Sequence, residues 1–244
     1  MKATLRLLLL VFLAGLSIQL YFVGRIALMA VVDPESTAFE RSAVYSAVAT
    51  TGSLKWRQQW TPYSDISDNL KRAVIASEDA SFIEHDGVDI EALEKAWDKN
   101  AKAEQKAQQP TKSANIKPGT PPKIVGGSTI TQQLAKNLFL SGERTLLRKG
   151  QELVLTLLLE RLLDKERILE IYLNSVEWGE GVFGAEAAAQ HYYRKSASKL
   201  SAFEAARLAV MLPRPKYFET RPNSGYLLSR AGTIAARMAS VELP

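Results

Sequence analysis

The chain has 244 residues, 46% of them hydrophobic and 23% charged, with 31 Lys and Arg against 26 Asp and Glu and no cysteine. These fractions and a mean hydropathy of -0.09 suit one good-sized folded domain, and they exclude wholesale disorder and a multi-span transporter. Lack of cysteine excludes a disulfide scaffold and a cysteine-ligated metal, while the net charge of +5 leaves a nucleic-acid surface open until that charge is located.

Residues 1–32 carry only Lys2, Arg6 and Arg25 as charges, and Leu7 to Gly24 is an uncharged run of 18 residues. A bilayer core of about 30 Å takes about 20 apolar residues as a helix, so this run and the apolar stretch after Arg25 predict a membrane anchor over 1–32. A cleavable signal peptide is the rival, but its apolar region is shorter and Ala27-Leu28-Met29-Ala30 offers no clean cleavage pattern. Lys2 and Arg6 on the leading side place the N-terminus in the cytoplasm and the rest of the chain across the membrane.

Residues 33–64 are mixed and read as extended or irregular. From Ser64, Ile66, Leu70 and Val74 recur every fourth position and predict a helix ending near Ser77. A helical start over 90–100 leads into a Lys/Pro-rich inserted loop at about 97–124. Lys95 to Lys123 holds seven lysines against Asp98 and Glu104, an excess equal to that of the whole chain. The body outside the loop and the anchor is therefore slightly acidic, and a nucleic-acid face loses its support. The loop lysines serve either solubility or contact with anionic headgroups.

Further helices are predicted from a cap at Ser128 or Thr129 to about Leu140, from Thr145 to about Leu163, and from Lys165 to Asn174 behind Asp164. Another covers Gly184 to Lys195, and a capping box at Ser201 and Glu204 opens a last apolar helix that stops at Pro213. Strand-like alternation is scarce, so the fold class is mainly α, with 33–244 as one domain behind the anchor.

Three segments could carry chemistry. Glu78 and Asp79 close an apolar helix at its C-terminal end, a poor place for anions on stability grounds, and crowding there raises a carboxyl pKa toward the range of a general base. Alone, the pair is better explained by two solvated carboxylates. After Gly126 and Gly127, helical spacing puts Thr129, Gln133 and Lys136 on one arc beside a helix N-terminus, which suits an anionic, oxygen-rich ligand. Arg148 and Glu152 stand one turn apart, either as a surface ion pair or as the second carboxylate of a glycosyl-transfer site.

The order of these motifs resembles the peptidoglycan glycosyltransferases, a lysozyme-like family. EDxxFxxHxG is met by Glu78, Asp79, Phe82, His85 and Gly87, and GGSTxTQQxxKN by Gly126 to Asn137. RKxxExxxxxxLE is met by Arg148, Lys149, Glu152, Leu159 and Glu160, and KxxILExYLN by Lys165 to Asn174. Gly181 to Tyr193 and the helix from Leu200 to Pro213 complete the likeness over about 55–215.

The resemblance implies polymerisation of lipid II into β-1,4 glycan by inverting transfer, with release of polyprenyl diphosphate and without transpeptidation. It implies Glu78 as general base, and Lys136, Arg148 and Lys149 as the cations that meet the pyrophosphate. Glu152 would be a second catalytic carboxylate that orients them or holds a divalent cation, magnesium or manganese; no organic cofactor is implied. Thr129, Gln133 and Asn137 would position pyrophosphate and sugar, and Asp79, Phe82 and His85 would shape the substrate wall. The implied partners are lipid II, the growing glycan chain, the bacterial inner membrane and other cell wall synthesis proteins, with the catalytic domain periplasmic. A glycan hydrolase on the same plan and a membrane-tethered scaffold are the alternatives; the three cations disfavour the first, and the complete motif set the second. Ser196-Ala-Ser-Lys199 fits S-x-x-K, but no K-T-G follows and it reads as polarity at the start of a helix.

Overall fold

The computed structural model describes residues 2–108, 127–140 and 145–244. It is mainly α, as the patterning predicts. The first helix, α1 (Lys2–Leu28), is one continuous apolar rod long enough to cross a membrane. Its surface is bare from Leu5 to Ile18, whereas Ile26 and Met29 are buried in the core of the body.

The segment after it is not irregular. Thr37 and Glu40 form a reciprocal capping box that starts α2 (Ala38–Thr51), and Gly52 ends it in the left-handed region at φ 65. The apolar stripe that normally announces a helix is weak here because the buried groups at its start, Thr37 and Glu40, are polar.

Ser67, not Ser64, caps α3 (Asp68–Glu78), and Ile66 packs from the turn before it. α3 buries Leu70, Ala73, Val74 and Ile75 against α9 (Ala202–Met211) and α11 (Gly225–Arg237). α4 (Ile90–Gln108) continues well past position 97, where the sequence predicts a loop to begin. Its Ala, Lys, Glu and Gln are strong helix formers, and Lys95, Lys99 and Lys102 line one exposed face of the rod instead of breaking it. The rest of the Lys/Pro-rich stretch, with Gly126 of the second motif, lies outside the described residues.

α5 (Ile130–Phe139), opened by the Thr129 capping box, packs between α6 (Leu146–Leu162) and α7 (Lys165–Ser175) and touches α2. Among the described residues, three short strands flank this helical body: β1 (Arg57–Gln58), β2 (Glu177–Gly179) and β3 (Val182–Phe183). They run in the order β1-β3-β2, with β1 parallel and β2 antiparallel to β3, and Arg57 stands opposite Val182. α8 (Ala185–Tyr193) follows. Beyond Pro213 the chain does not stop being helical: α10 (Pro215–Glu219) and α11 close the body, and α11 buries Leu227, Ala231 and Ile234 at helical spacing. Ser196 hydrogen-bonds Glu186 and caps a short turn, as expected of polarity at the start of a helix.

Candidate active site

Glu78 is the last residue of α3 and Asp79 its C-cap. The Asp79 carboxylate, at the negative end of its own helix, is met by the start of another. Its Oδ2 accepts from the backbone N–H of Ile130, the first residue of α5, at 2.9 Å, so the N-terminus of one helix offsets the anion at the C-terminus of another. Its Oδ1 takes the Nε2 of His85 at 2.9 Å, and the Nδ1 of His85 accepts from the Gly87 backbone N–H at 3.1 Å. That backbone donor assigns the ring proton to Nε2. Burial works against a charged imidazole, but the bond and charge of Asp79 outweigh it and raise the His85 pKa.

Gly87 sits at φ 85, and a Cβ there would come within 2.7 Å of Thr156 and 2.8 Å of Glu160. Only glycine fits. The Gly87 carbonyl then accepts the hydroxyl of Thr129 at 2.6 Å, locking the first motif to the second.

Glu78 itself is held differently. Gln133 donates from Nε2 to its Oε2 at 3.1 Å, and the fully buried Tyr172 donates to Gln133 Oε1 at 3.0 Å, which fixes the orientation of the amide. Burial raises the pKa of Glu78 and the neighbouring Asp79 adds to this; the bonds from Gln133 and Ser77 and the charge of Arg230 pull the other way. Glu78 and Asp79 line a cleft of about 360 Å3 between the end of α3, the start of α4 and the turn before α5.

The cations gather further along α5. Lys136 stands three residues beyond Gln133, a rise of about 4.5 Å. The Arg148 guanidinium meets Glu152 at 3.0 Å and the Lys149 ammonium meets it at 2.5 Å, and Glu152 is only 4% exposed. Lys136 is open to solvent along part of its length, yet crowding of its ammonium lowers its pKa, first by burial and then by repulsion from Arg148 and Lys149, against the attraction of Glu152. The buried Nε of Arg148 has no hydrogen-bond partner among the described residues.

Several expected roles change. Phe82 is 0% exposed and lies beneath the Lys165 ammonium, which is 4.6 Å from its ring centroid, so it supports the wall from behind. The Thr129 hydroxyl is spent on the α5 cap and on Gly87, and Gln133 on Glu78 and Tyr172, so both build the site and leave little for binding pyrophosphate or sugar. Asn137 is half-buried one turn beyond Gln133. Glu152 fits a divalent ion poorly, because a guanidinium and an ammonium hold its two oxygens. Asp79, His85 and Asp89 do offer ligand atoms within 4.8 Å of one another. Those atoms have other work: Asp89 caps the start of α4 through Ala92 and accepts from Ser81.

Three contributors escape a reading by motif: Asp89, Tyr172 and Arg230. Asp89, two residues past Gly87, was signalled by its place before a helix. Tyr172 falls within the fourth motif, whose pattern gives it no role. Arg230 comes from α11, and only its spacing from Leu227 and Ile234 would have placed it on that helix. His191 bridges Arg57 at 3.3 Å and Glu219 at 3.0 Å, away from Glu78.

A helical body that keeps one carboxylate desolvated at a cleft, and beside it three cations around a second carboxylate, has the groups that proton abstraction near an anion requires. The transglycosylase family pattern matches residues 46–239. A biosynthetic peptidoglycan transglycosylase of Burkholderia thailandensis is 54% identical over 231 residues, covering 95% of this chain and 84% of the relative. The same-named proteins of Burkholderia pseudomallei and Paraburkholderia phytofirmans are 53% and 51% identical, covering 95% of this chain and 84% and 90% of theirs. The chain belongs to the transglycosylase family.

Proposed function

We propose that this chain polymerises lipid II into β-1,4 glycan strands, with Glu78 as general base and the Lys136, Arg148 and Lys149 cluster receiving the polyprenyl diphosphate. Its activity is that of a peptidoglycan glycosyltransferase. Glu78 carries the proposal: it lies at the cleft, is held by a neutral amide and a hydroxyl instead of an ion pair, and has a raised pKa. A carboxylate so placed takes the proton of the acceptor sugar hydroxyl as that oxygen attacks the anomeric carbon, and a single displacement inverts the configuration.

The leaving pyrophosphate needs charge neutralisation more than it needs a proton. Lys136, Arg148 and Lys149 supply it, and Glu152 holds the last two in place. No step runs through a divalent ion. α1 spans the inner membrane with the N-terminus in the cytoplasm, so the catalytic body meets the lipid-linked substrate at the periplasmic surface, where other cell wall synthesis proteins work.

The test is incubation of the full chain with labelled lipid II in vesicles. Long glycan without peptide cross-links is the expected product. Shortening of preformed glycan with no polymer formed would favour the hydrolase alternative instead.

A further inference from the structure

Two polar residues interrupt the apolar run of α1. Ser17 is satisfied within its own helix, since its hydroxyl donates to the Leu13 carbonyl at 2.8 Å. Gln19 is not. Its Nε2 donates to Gln151 Oε1 at 2.8 Å, and Gln151 Nε2 donates back to Gln19 Oε1 at 3.2 Å, a reciprocal amide pair between residues 132 positions apart. Gln19 is also where the body first covers the anchor: residues 2–18 are exposed, Gln19 is partly covered, Phe22 stacks edge-on against Phe139 of α5 at 5.3 Å, and Ile26 is fully buried. The Arg167 Nε then holds the Met29 carbonyl at 2.8 Å.

Gln151 stands between Lys149 and Glu152 on α6. Gln19 lies six residues before Arg25, about 9 Å along the helix axis and so on the hydrocarbon side of that charge. An amide at this depth is costly unless paired, which favours the clasp over separation. The start of α6 is consistent with the same depth: Leu146 and Leu147 are 92% and 87% exposed, and Leu153, Val154 and Leu157 are exposed as well.

We propose that the Gln19–Gln151 pair is a positioning device that registers the cation-bearing helix α6 against the membrane span, setting the depth at which Arg148 and Lys149 meet a membrane-bound pyrophosphate. It rests on α1 spanning the bilayer. The anchor is then part of the machinery that aligns the site, and the two glutamines act through the cations without touching the substrate themselves.

The test uses the full chain in phospholipid vesicles, with Q19L, Q151L and the double variant Q19L/Q151L. The chain has no cysteine, so single probes can be placed by L147C in α6 and L13C in the middle of α1. The proposal expects KM for the lipid substrate to rise about threefold to tenfold in each single variant, the range of interhelical side-chain hydrogen bonds in membranes, with kcat little changed. It expects the probe at 147 to move in depth, and the double variant to recover the melting temperature without recovering KM. A double variant that recovers both would show that packing alone is at stake and would overturn it. Unchanged KM and probe depth in all three variants, with the probe at 13 buried in lipid, would overturn the clasp alone. A probe at 13 exposed to water would overturn the spanning of α1 and the clasp with it.

Discussion

Glu78 and Glu152 are the same residue type on either side of α5, and their surroundings make them opposites. Glu78 ends a helix, is half-buried, and has a Gln amide and a Ser hydroxyl for partners, so its proton is held more tightly than in water. Glu152 is mid-helix, buried more deeply than Glu78, and gripped by a guanidinium and an ammonium. Burial without an ion pair makes a base with useful affinity for a proton; a carboxylate gripped by two cations organises its neighbours instead. α5 joins the two, because Gln133 faces Glu78 and Lys136 faces Glu152 from adjacent turns of one short helix.

Substitutions should separate the two carboxylates. The largest effect belongs to E78Q, for which polymerisation should fall by about 10^2 to 10^4, the usual worth of a positioned general base, while the melting temperature at pH 8 is not lowered because a costly buried ionisation is removed. K136A should follow with a loss of about 10^2 in kcat, the scale of one missing charge stabiliser, and a rate within twofold of the parent would place the pyrophosphate elsewhere.

E152Q should do the reverse of E78Q. It leaves Arg148 and Lys149 without their buried counter-charge, so denaturant unfolding should show a loss of about 2–3 kcal/mol, with a smaller effect on rate than K136A. An E152Q protein as stable as the parent would mean that the cations do not depend on it.

The smallest expected effect uses a third buried carboxylate as a control. Glu40 is 0% exposed, tied to Thr37 and Gln58 away from the cleft, and burial raises its pKa to about 7. Its folded pKa lies above its unfolded value of 4.5, so the fold is favoured by protonation: the melting temperature should decline as pH rises from 4.5 to about 7 and level off above. E40Q should flatten that decline and leave polymerisation intact. A profile unchanged by E40Q would assign the slope to other groups.

Much of this was legible in the sequence because strong local signals agreed with the tertiary structure. The caps at Thr129, Thr145, Asp164 and Ser201 all start helices as the sequence predicts. α2 was missed because its Ala, Ser and Thr give little apolar contrast, although Thr37 and Glu40 do spell a capping box. α11 was missed because Gly225 and Gly232 weaken the pattern of Leu227, Ala231 and Ile234.

At the site, the motifs gave the residues but not their partners. That Thr129 and Gln133 face Gly87 and Glu78 depends on how α5 meets the end of α3, and spacing along one helix carries no information about the other. The pairing of Gln19 with Gln151, 132 positions apart, is of the same kind.

The measurement closest to the central claim is the initial rate of glycan polymerisation by E78Q and E152Q, each followed across pH in the same vesicles. The two-carboxylate account predicts that E152Q keeps a rate that climbs with pH through a midpoint above the ordinary carboxylate value of 4.5, while E78Q is nearly inactive throughout. An E78Q enzyme that retains the parental rate and the same pH-dependent rise would contradict it, because the base would then lie elsewhere.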